Sequence, residues 1–278
     1  MIDWLASYPK SGNTWMRLLL ANYYSEVDDP HDINRPGITN GIASHRWRFD
    51  EVLGIDSSDL TDSEIADLQP RLYEAIAALN PARQWIKVHD AQSRIADGGW
   101  LFPPKASGVV IYLVRNPLDV AVSRAFHDGH GDMDRAIGLL CDPQGAVSGG
   151  GKLQLRQFMG DWSHNVRSWL DQDEIPVLTV RYEDLLADTS RELSRVIAFA
   201  RPDDPIDPTR IAQAVDYCAF ANLQAAEAAA GFREATPRQK RFFRSGKAGD
   251  WIDHLTPAQA NRIRQCHGAT MRRLGYDA

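Results

Sequence analysis

The residues best suited to chemistry in this chain are Tyr8-Pro9-Lys10-Ser11-Gly12-Asn13-Thr14-Trp15. Lys10 brings a mobile positive charge, and Ser11 and Thr14 bring hydroxyl donors. Gly12 lets the backbone turn sharply, and Asn13 stands where a helix would begin. An apolar run precedes the stretch, over residues 2–7, and a helical pattern follows it, over residues 16–24. A strand feeding a glycine-containing loop that opens a helix forms an anion site. Its backbone N–H groups point outward and the helix dipole favours negative charge. The order of residues is not that of a nucleoside triphosphatase loop, which closes on Gly-Lys-Ser/Thr. Here the lysine precedes the glycine. Taken alone, the stretch also reads as an ordinary strand-to-helix turn.

Two further groups have the chemistry of an anion or proton-transfer site. The most apolar run, residues 108–114, ends in Arg115-Asn116-Pro117, with Ser123 in the helical pattern behind it. Ligands of open α/β sheets bind beyond the carboxyl ends of the strands, where a guanidinium can hold a phosphate through two hydrogen bonds. His89 is one of eight histidines, and it stands out because it closes a strand pattern over residues 85–89. A third basic segment, Arg244-Ser245-Gly246-Lys247, lies near the C-terminus beside Arg238, Lys240 and Arg241.

The elements that must position these residues alternate in type. Strands are predicted over residues 2–7, 85–89, 108–114 and 176–180. The third is apolar on both faces, as a buried parallel strand requires. Helices are predicted between them. Asn116-Pro117 offers a cap and a first-turn proline for residues 118–128. Thr189 with Glu192, and Thr256 with Gln259, have capping-box spacing. Residues 62–79 form an amphipathic pattern in which Pro70 introduces a potential kink. This alternation predicts an α/β fold with a central parallel β-sheet flanked by helices. Residues 28–56 and 128–152 lack a clear pattern. The second stretch contains the run Gly149-Gly150-Gly151 and reads as a mobile glycine-rich loop.

Composition narrows the class. The chain has 278 residues, 44% hydrophobic and 24% charged, as in a globular enzyme. Its net charge of −6 does not point to a nucleic-acid partner. Three scattered cysteines, Cys141, Cys218 and Cys266, suit neither a disulfide framework nor a zinc site, so no metal is expected. There is no signal-peptide pattern and no apolar run of membrane-spanning length, so the expected compartment is the cytoplasm.

The motifs resemble those of the cytosolic-type sulfotransferases, which transfer a sulfuryl group from 3′-phosphoadenosine 5′-phosphosulfate (PAPS). Residues 8–15 are similar to that family's 5′-phosphosulfate loop. Arg115-Asn116-Pro117, with Ser123 eight residues after the arginine, is similar to its 3′-phosphate motif. Arg244-Ser245-Gly246, followed by Gly249-Asp250-Trp251, resembles the loop that closes over the 3′-phosphate, with Ser245 in place of the usual lysine. Arg181-Tyr182-Glu183-Asp184 and Cys218-Ala219-Phe220 resemble segments beside the adenine, on which Trp15 would stack. Ile86-Lys87-Val88-His89 resembles the family's Lys-Thr-His, whose histidine takes the acceptor's proton. Gly160-Asp161-Trp162, with His164, Asn165, Val166 and Trp169, resembles a family segment read here as structural, with Asn165 in the slot of the usual histidine.

The resemblance implies one domain over residues 1–278 with the P-loop-kinase-like sulfotransferase fold. It implies donor contacts from Lys10, Ser11, Gly12, Asn13, Thr14, Trp15, Arg115, Ser123, Tyr182, Phe220, Arg244, Ser245 and Gly246. It implies His89 as general base, Lys10 as the stabiliser of developing charge, and Lys87 and Ser123 as positioning groups. Ser123 would also restrain Lys10. The implied acceptor is the hydroxyl of a small phenol or alcohol, a sugar hydroxyl being possible. The short N-terminus and glycine-rich stretch look more like bacterial small-molecule sulfotransferases, including those acting on glycopeptide antibiotics. The lysine, valine and glutamate of a common animal dimerisation segment are absent from residues 252–261. Two other classes compete: a P-loop-type small-molecule kinase and a non-catalytic nucleotide-binding protein.

Overall fold

The apolar run at the N-terminus becomes a fully buried strand, β1 (Ile2–Ser7). The computed structural model describes residues 1–35, 37, 39–80, 82–129, 131–148 and 153–277. Beside β1 runs β3 (Gln84–Val88), parallel and in register from Ile2 with Gln84 to Ala6 with Val88. A short strand, β2 (Thr39–Ile42), pairs in parallel with the outer side of β3. The strand β4 (Ser107–Val114) is buried over nearly its whole length, and β7 (Val177–Arg181) completes the sheet. The five strands stand in the order β2-β3-β1-β4-β7, a central parallel sheet flanked by helices. The α/β expectation therefore holds.

Two compact units divide the chain. The first contains Met1–Tyr8, Thr39–Tyr112 and Asp142–Thr179. It holds β1, β2, β3 and most of β4 and β7. It also holds α2 (Arg46–Leu53), α3 (Asp62–Leu79), α6 (Trp162–Leu170) and an antiparallel pair, β5 (Ala146–Ser148) with β6 (Arg156–Phe158). Its core includes Trp4, Tyr73, Phe102 and Trp169, linked by ring contacts at 4.9–5.2 Å. α3 opens on a full capping box, Thr61 with Glu64, and runs through the buried Pro70 as one helix.

The second unit contains Pro9–Ile38, Leu113–Cys141 and Val180–Ala278. It holds α1 (Asn13–Tyr23), α4 (Pro117–His127), α5 (Met133–Leu140), α7 (Tyr182–Ala187) and α8 (Thr189–Ala200). It ends with α9 (Pro208–Tyr217), α10 (Phe220–Ala230) and α11 (Pro257–Arg273). Thr256 and Gln259 form the expected capping box of α11.

Several local expectations change. The cap of α8 is Asp188, whose side chain accepts from Arg191 N, while Thr189 Oγ1 donates back to Leu185 O. A carboxylate one position earlier is the stronger cap, because it also meets the helix dipole. Residues 28–56 contain β2 and α2, and residues 128–152 contain α5 and β5. α5 forms because Asp132 caps it and Ala136, Ile137 and Leu140 share one buried face. The run Gly149-Gly150-Gly151 lies outside the described residues.

Candidate active site

The phosphate-loop reading rests on backbone shape, and that shape is present. Lys10 has φ +72°, the sole non-glycine with positive φ among the described residues, and Gly12 follows at +96°. The helix ladder begins with Met16 N donating to Gly12 O at 3.1 Å, so the N–H groups of the first turn of α1 lie outside that ladder. A Cβ at Gly12 would lie 2.9 Å from the Tyr182 ring, so glycine is required by packing as well as by φ. Ser11 Oγ is buried without a hydrogen-bond partner. A buried hydroxyl without a partner at the start of a helix fits an oxyanion.

Lys10 is held inside the second unit. Its Nζ lies 3.3 Å from His127 Nδ1 and 4.3 Å from the centre of the Phe242 ring. The same Nδ1 lies 3.0 Å from Gln239 Oε1, so this nitrogen faces both the ammonium and an amide oxygen. Burial and the Lys10 charge push the His127 pKa down to about 4. His127, one helical turn after Ser123 on α4, is thus in contact with Lys10.

Arg115 follows β4 and is almost fully buried. Its guanidinium donates to Lys247 O at 2.9 Å and Lys10 O at 3.4 Å, and stacks 4.3 Å from the Tyr182 ring. Two of five N–H donors are spent on these carbonyls, and the buried Nε has no partner. Arg115 therefore braces the phosphate loop and the Lys247 segment while keeping donors for an anion. Asn116 caps α4 through Leu118 N at 3.0 Å. Its own N–H donates to Glu183, whose other oxygen accepts from the Tyr276 hydroxyl.

The C-terminal basic segment is tied to the same helix. Asp119, buried on the first turn of α4, accepts from Gly249 N at 2.8 Å and Trp251 N at 2.9 Å. Arg244 pairs with Asp250 and lies 4.2 Å over Phe126, and Ser245 Oγ donates to Asp250 at 3.1 Å. Burial would raise the Asp250 pKa, but these two partners outweigh it and hold it low. Ser245 thus completes the cover of Asp250, a role a lysine would fill with a charge. Gly246 has φ +63°, and a Cβ there would lie 2.5 Å from the Phe220 ring. Trp15 donates from Nε1 to Cys218 O at 3.1 Å and meets Tyr182 edge-on at 5.9 Å.

Within the second unit, then, Arg115 meets the Lys10 carbonyl, the Lys247 carbonyl and the Tyr182 ring, which also packs against Gly12. Trp15 touches Tyr182, and Gly246 touches Phe220. Thr14 departs from expectation. Its hydroxyl donates to Glu234 at 3.0 Å, and Glu234 also accepts from Arg17 at 2.5 Å. Glu234, His127 and Asp119 carried no signal in the sequence, because each acts on residues more than a hundred positions away.

Lys87 and His89 belong to the first unit. His89 lies just beyond β3, two positions after Lys87, so strand alternation puts both on one side. His89 Nδ1 lies 2.8 Å from Ser7 O and 3.3 Å from Ser7 Oγ. A carbonyl only accepts, so Nδ1 carries a hydrogen, and in the neutral ring the lone pair then lies on Nε2. Other aromatic residues of the first unit differ in setting. Phe49 and Phe102 are buried in the core, Trp47 is exposed, and Trp100 stacks under Arg94 at 3.5 Å.

A family model of the sulfotransferase domain matches residues 3–275. The chain belongs to the sulfotransferase family. It is 26% identical over 273 residues to cytosolic sulfotransferase 1 of Arabidopsis thaliana, covering 93% of this chain and 75% of that one. Cytosolic sulfotransferase 15 of the same plant is also 26% identical, with 93% and 68% covered. The fold is similar to mouse sulfotransferase SULT7A1 complexed with PAP, with TM-score 0.58, 21% identity, and 97% and 84% of the chains covered. It is also similar to retinol dehydratase in a complex with retinol and PAP, with TM-score 0.60, 18% identity, and 97% and 81% covered. The protein is accordingly a sulfotransferase. Among the described residues no helix is long and apolar enough to cross a membrane.

Proposed function

We propose that this sulfotransferase moves the sulfuryl group of PAPS onto the hydroxyl of a small phenol or alcohol, with His89 as general base. Membership of the family and the PAP named in structurally similar proteins support the donor. The observation that carries the base is the bond from His89 Nδ1 to the Ser7 carbonyl. It leaves the Nε2 lone pair as the one site where the ring can take a proton, which is what a general base needs.

PAPS supplies the activated sulfuryl group. The N–H groups opening α1, with Ser11 and Lys10, hold its 5′ end. Arg115, Ser123 and the Arg244–Gly246 segment hold the 3′-phosphate, and Trp15, Tyr182 and Phe220 hold the adenine. Thr14 joins the set once its hydroxyl turns from Glu234. Lys10 offsets negative charge on the leaving oxygen, while its bond to His127 fixes where the ammonium sits. Lys87 helps to place the donor. Like the relatives named cytosolic, the protein would work in the cytoplasm.

Transfer of radiolabel from PAPS to a panel of phenols, alcohols and sugars, without added metal, tests this reading. His89→Ala should lower the rate about 10²–10⁴-fold and leave affinity for adenosine 3′,5′-bisphosphate nearly unchanged. Lys10→Ala should lower both rate and donor affinity, since its charge acts before and during the reaction. Turnover of His89→Ala at the wild-type rate would make His89 structural, and phosphoryl transfer from ATP would favour a kinase.

A further inference from the structure

The sheet ladder stops one residue short of His89. Pairing between β1 and β3 ends at Ala6 with Val88, so His89 lies just past the paired register. Helix α6 supplies partners for the chain beyond it. Asn165 Nδ2 donates to His89 O at 3.0 Å, and Trp169 Nε1 donates to Asp90 O at 3.0 Å. Ser168 Oγ accepts from Gln92 N at 3.0 Å and donates to Asn165 O at 2.8 Å. Positions 165, 168 and 169 share one helix face. That face grips the chain leaving β3 at residues 89, 90 and 92.

Asn165 is the member that touches His89 itself, and its orientation is determined. Its Oδ1 accepts from Tyr112 OH at 2.7 Å, and its Nδ2 also lies 3.4 Å from Met159 O. Burial holds the Tyr112 phenol well above its usual pKa, so the hydroxyl is a donor. With Oδ1 committed to Tyr112, the N–H end must face the carbonyls. Asn165 and Tyr112 are both fully buried, so water does not compete.

We propose that Asn165, aimed by Tyr112, is a positioning residue for His89: it anchors the His89 backbone so that Nδ1–H stays on the Ser7 carbonyl and Nε2 stays basic. The proposal rests on His89 being the general base. Without the anchor, the backbone at residue 89 loses a fixed point and the ring its register with Ser7. An unconstrained imidazole then exchanges between its two tautomers, and the Nδ1–H form loses its advantage.

The test compares wild type, Asn165→Ala and Tyr112→Phe, the last removing one oxygen only. Nitrogen-15 NMR of labelled histidine, with the His89 signal assigned by its loss in His89→Ala, reads the tautomer. Wild type should show Nδ1–H alone at neutral pH. Asn165→Ala should show a mixture, a kcat lower by about 10–100-fold, and adenosine 3′,5′-bisphosphate affinity within about twofold. Tyr112→Phe should move the same way by less, and it decides the matter if Asn165→Ala fails to fold. An unchanged Nδ1–H tautomer in the folded variants overturns the proposal. Full activity of His89→Ala would instead overturn the base assignment, and the tautomer readout would still judge the anchor.

Discussion

Gly246 shows how a single residue ties the proposed donor site together. Its φ of +63° already disfavours any side chain, and a Cβ would meet Phe220 at 2.5 Å. Gly246→Ala should therefore push apart the Arg244 segment and the ring expected beside the adenine. The expected outcome is a fall of about tenfold or more in affinity for adenosine 3′,5′-bisphosphate, with melting temperature little changed. Calorimetric titration checks it, and affinity within twofold of wild type would count against the assignment. What was legible in sequence at this scale is placement: Arg115 follows β4, and Lys10 lies in the turn after β1. His127 and Glu234 were not legible. Nothing near His127 in the chain signals a lysine 117 positions earlier, and nothing near Glu234 signals a threonine 220 positions earlier.

At the level of elements, α4 organises two of the family motifs. Its first turn presents Asp119 to Gly249 N and Trp251 N, so the segment carrying Arg244, Ser245 and Gly246 is anchored to the helix that follows Arg115. A buried carboxylate accepting two backbone N–H bonds leaves both donors unsatisfied when removed, at about 1–3 kcal/mol each. Asp119→Ala should loosen residues 244–251 and weaken donor binding, while Asp119→Asn, keeping one acceptor, should do so less. Hydrogen exchange over residues 244–251 reads the first effect and calorimetry the second. Equal protection in wild type and Asp119→Ala would remove Asp119 from this role. Strands and helices with strong periodicity were legible in sequence: β1, β4 and α3 stand within a residue of expectation. The misses were β2 and α2 within residues 28–56, and α5 and β5 within residues 128–152. β2 is Thr-Asn-Gly-Ile, four residues with no apolar alternation, and it exists because β3 offers an open edge. β5 is three residues long and depends in the same way on β6. Pairing of that kind is a tertiary effect that no local window contains.

Over the whole molecule, one buried group and one half-buried group give the protein opposing responses to pH. Asp90 is fully buried, its Oδ2 has no partner, and burial raises its pKa to about 7. A carboxyl with a raised folded pKa contributes stability that is present below about 4 and lost as pH rises toward 7. His127 behaves in reverse. Its pKa is lowered to about 4, so its contribution is present above about 6.5 and lost as pH falls toward 4. Between about pH 4 and 6.5 the two slopes oppose each other, and the wild-type stability curve should be flatter there than either group alone would make it. Asp90→Asn removes the falling slope. Its melting temperature should climb more steeply with pH than that of wild type over this window. At pH 8 it should exceed wild type, because an ionised buried carboxylate has been replaced by a neutral amide worth on the order of a few kcal/mol. His127→Gln removes the rising slope and should make the protein relatively more stable at pH 5 than at pH 7. Thermal unfolding of the three proteins from pH 4.5 to 8 separates these outcomes. Curves for Asp90→Asn that run parallel to wild type would show that Asp90 is ionised in the folded protein throughout. The buried oxygen without a partner would then have to be stabilised by a neighbour other than Phe158 and Arg156, which already lower its pKa in the structure.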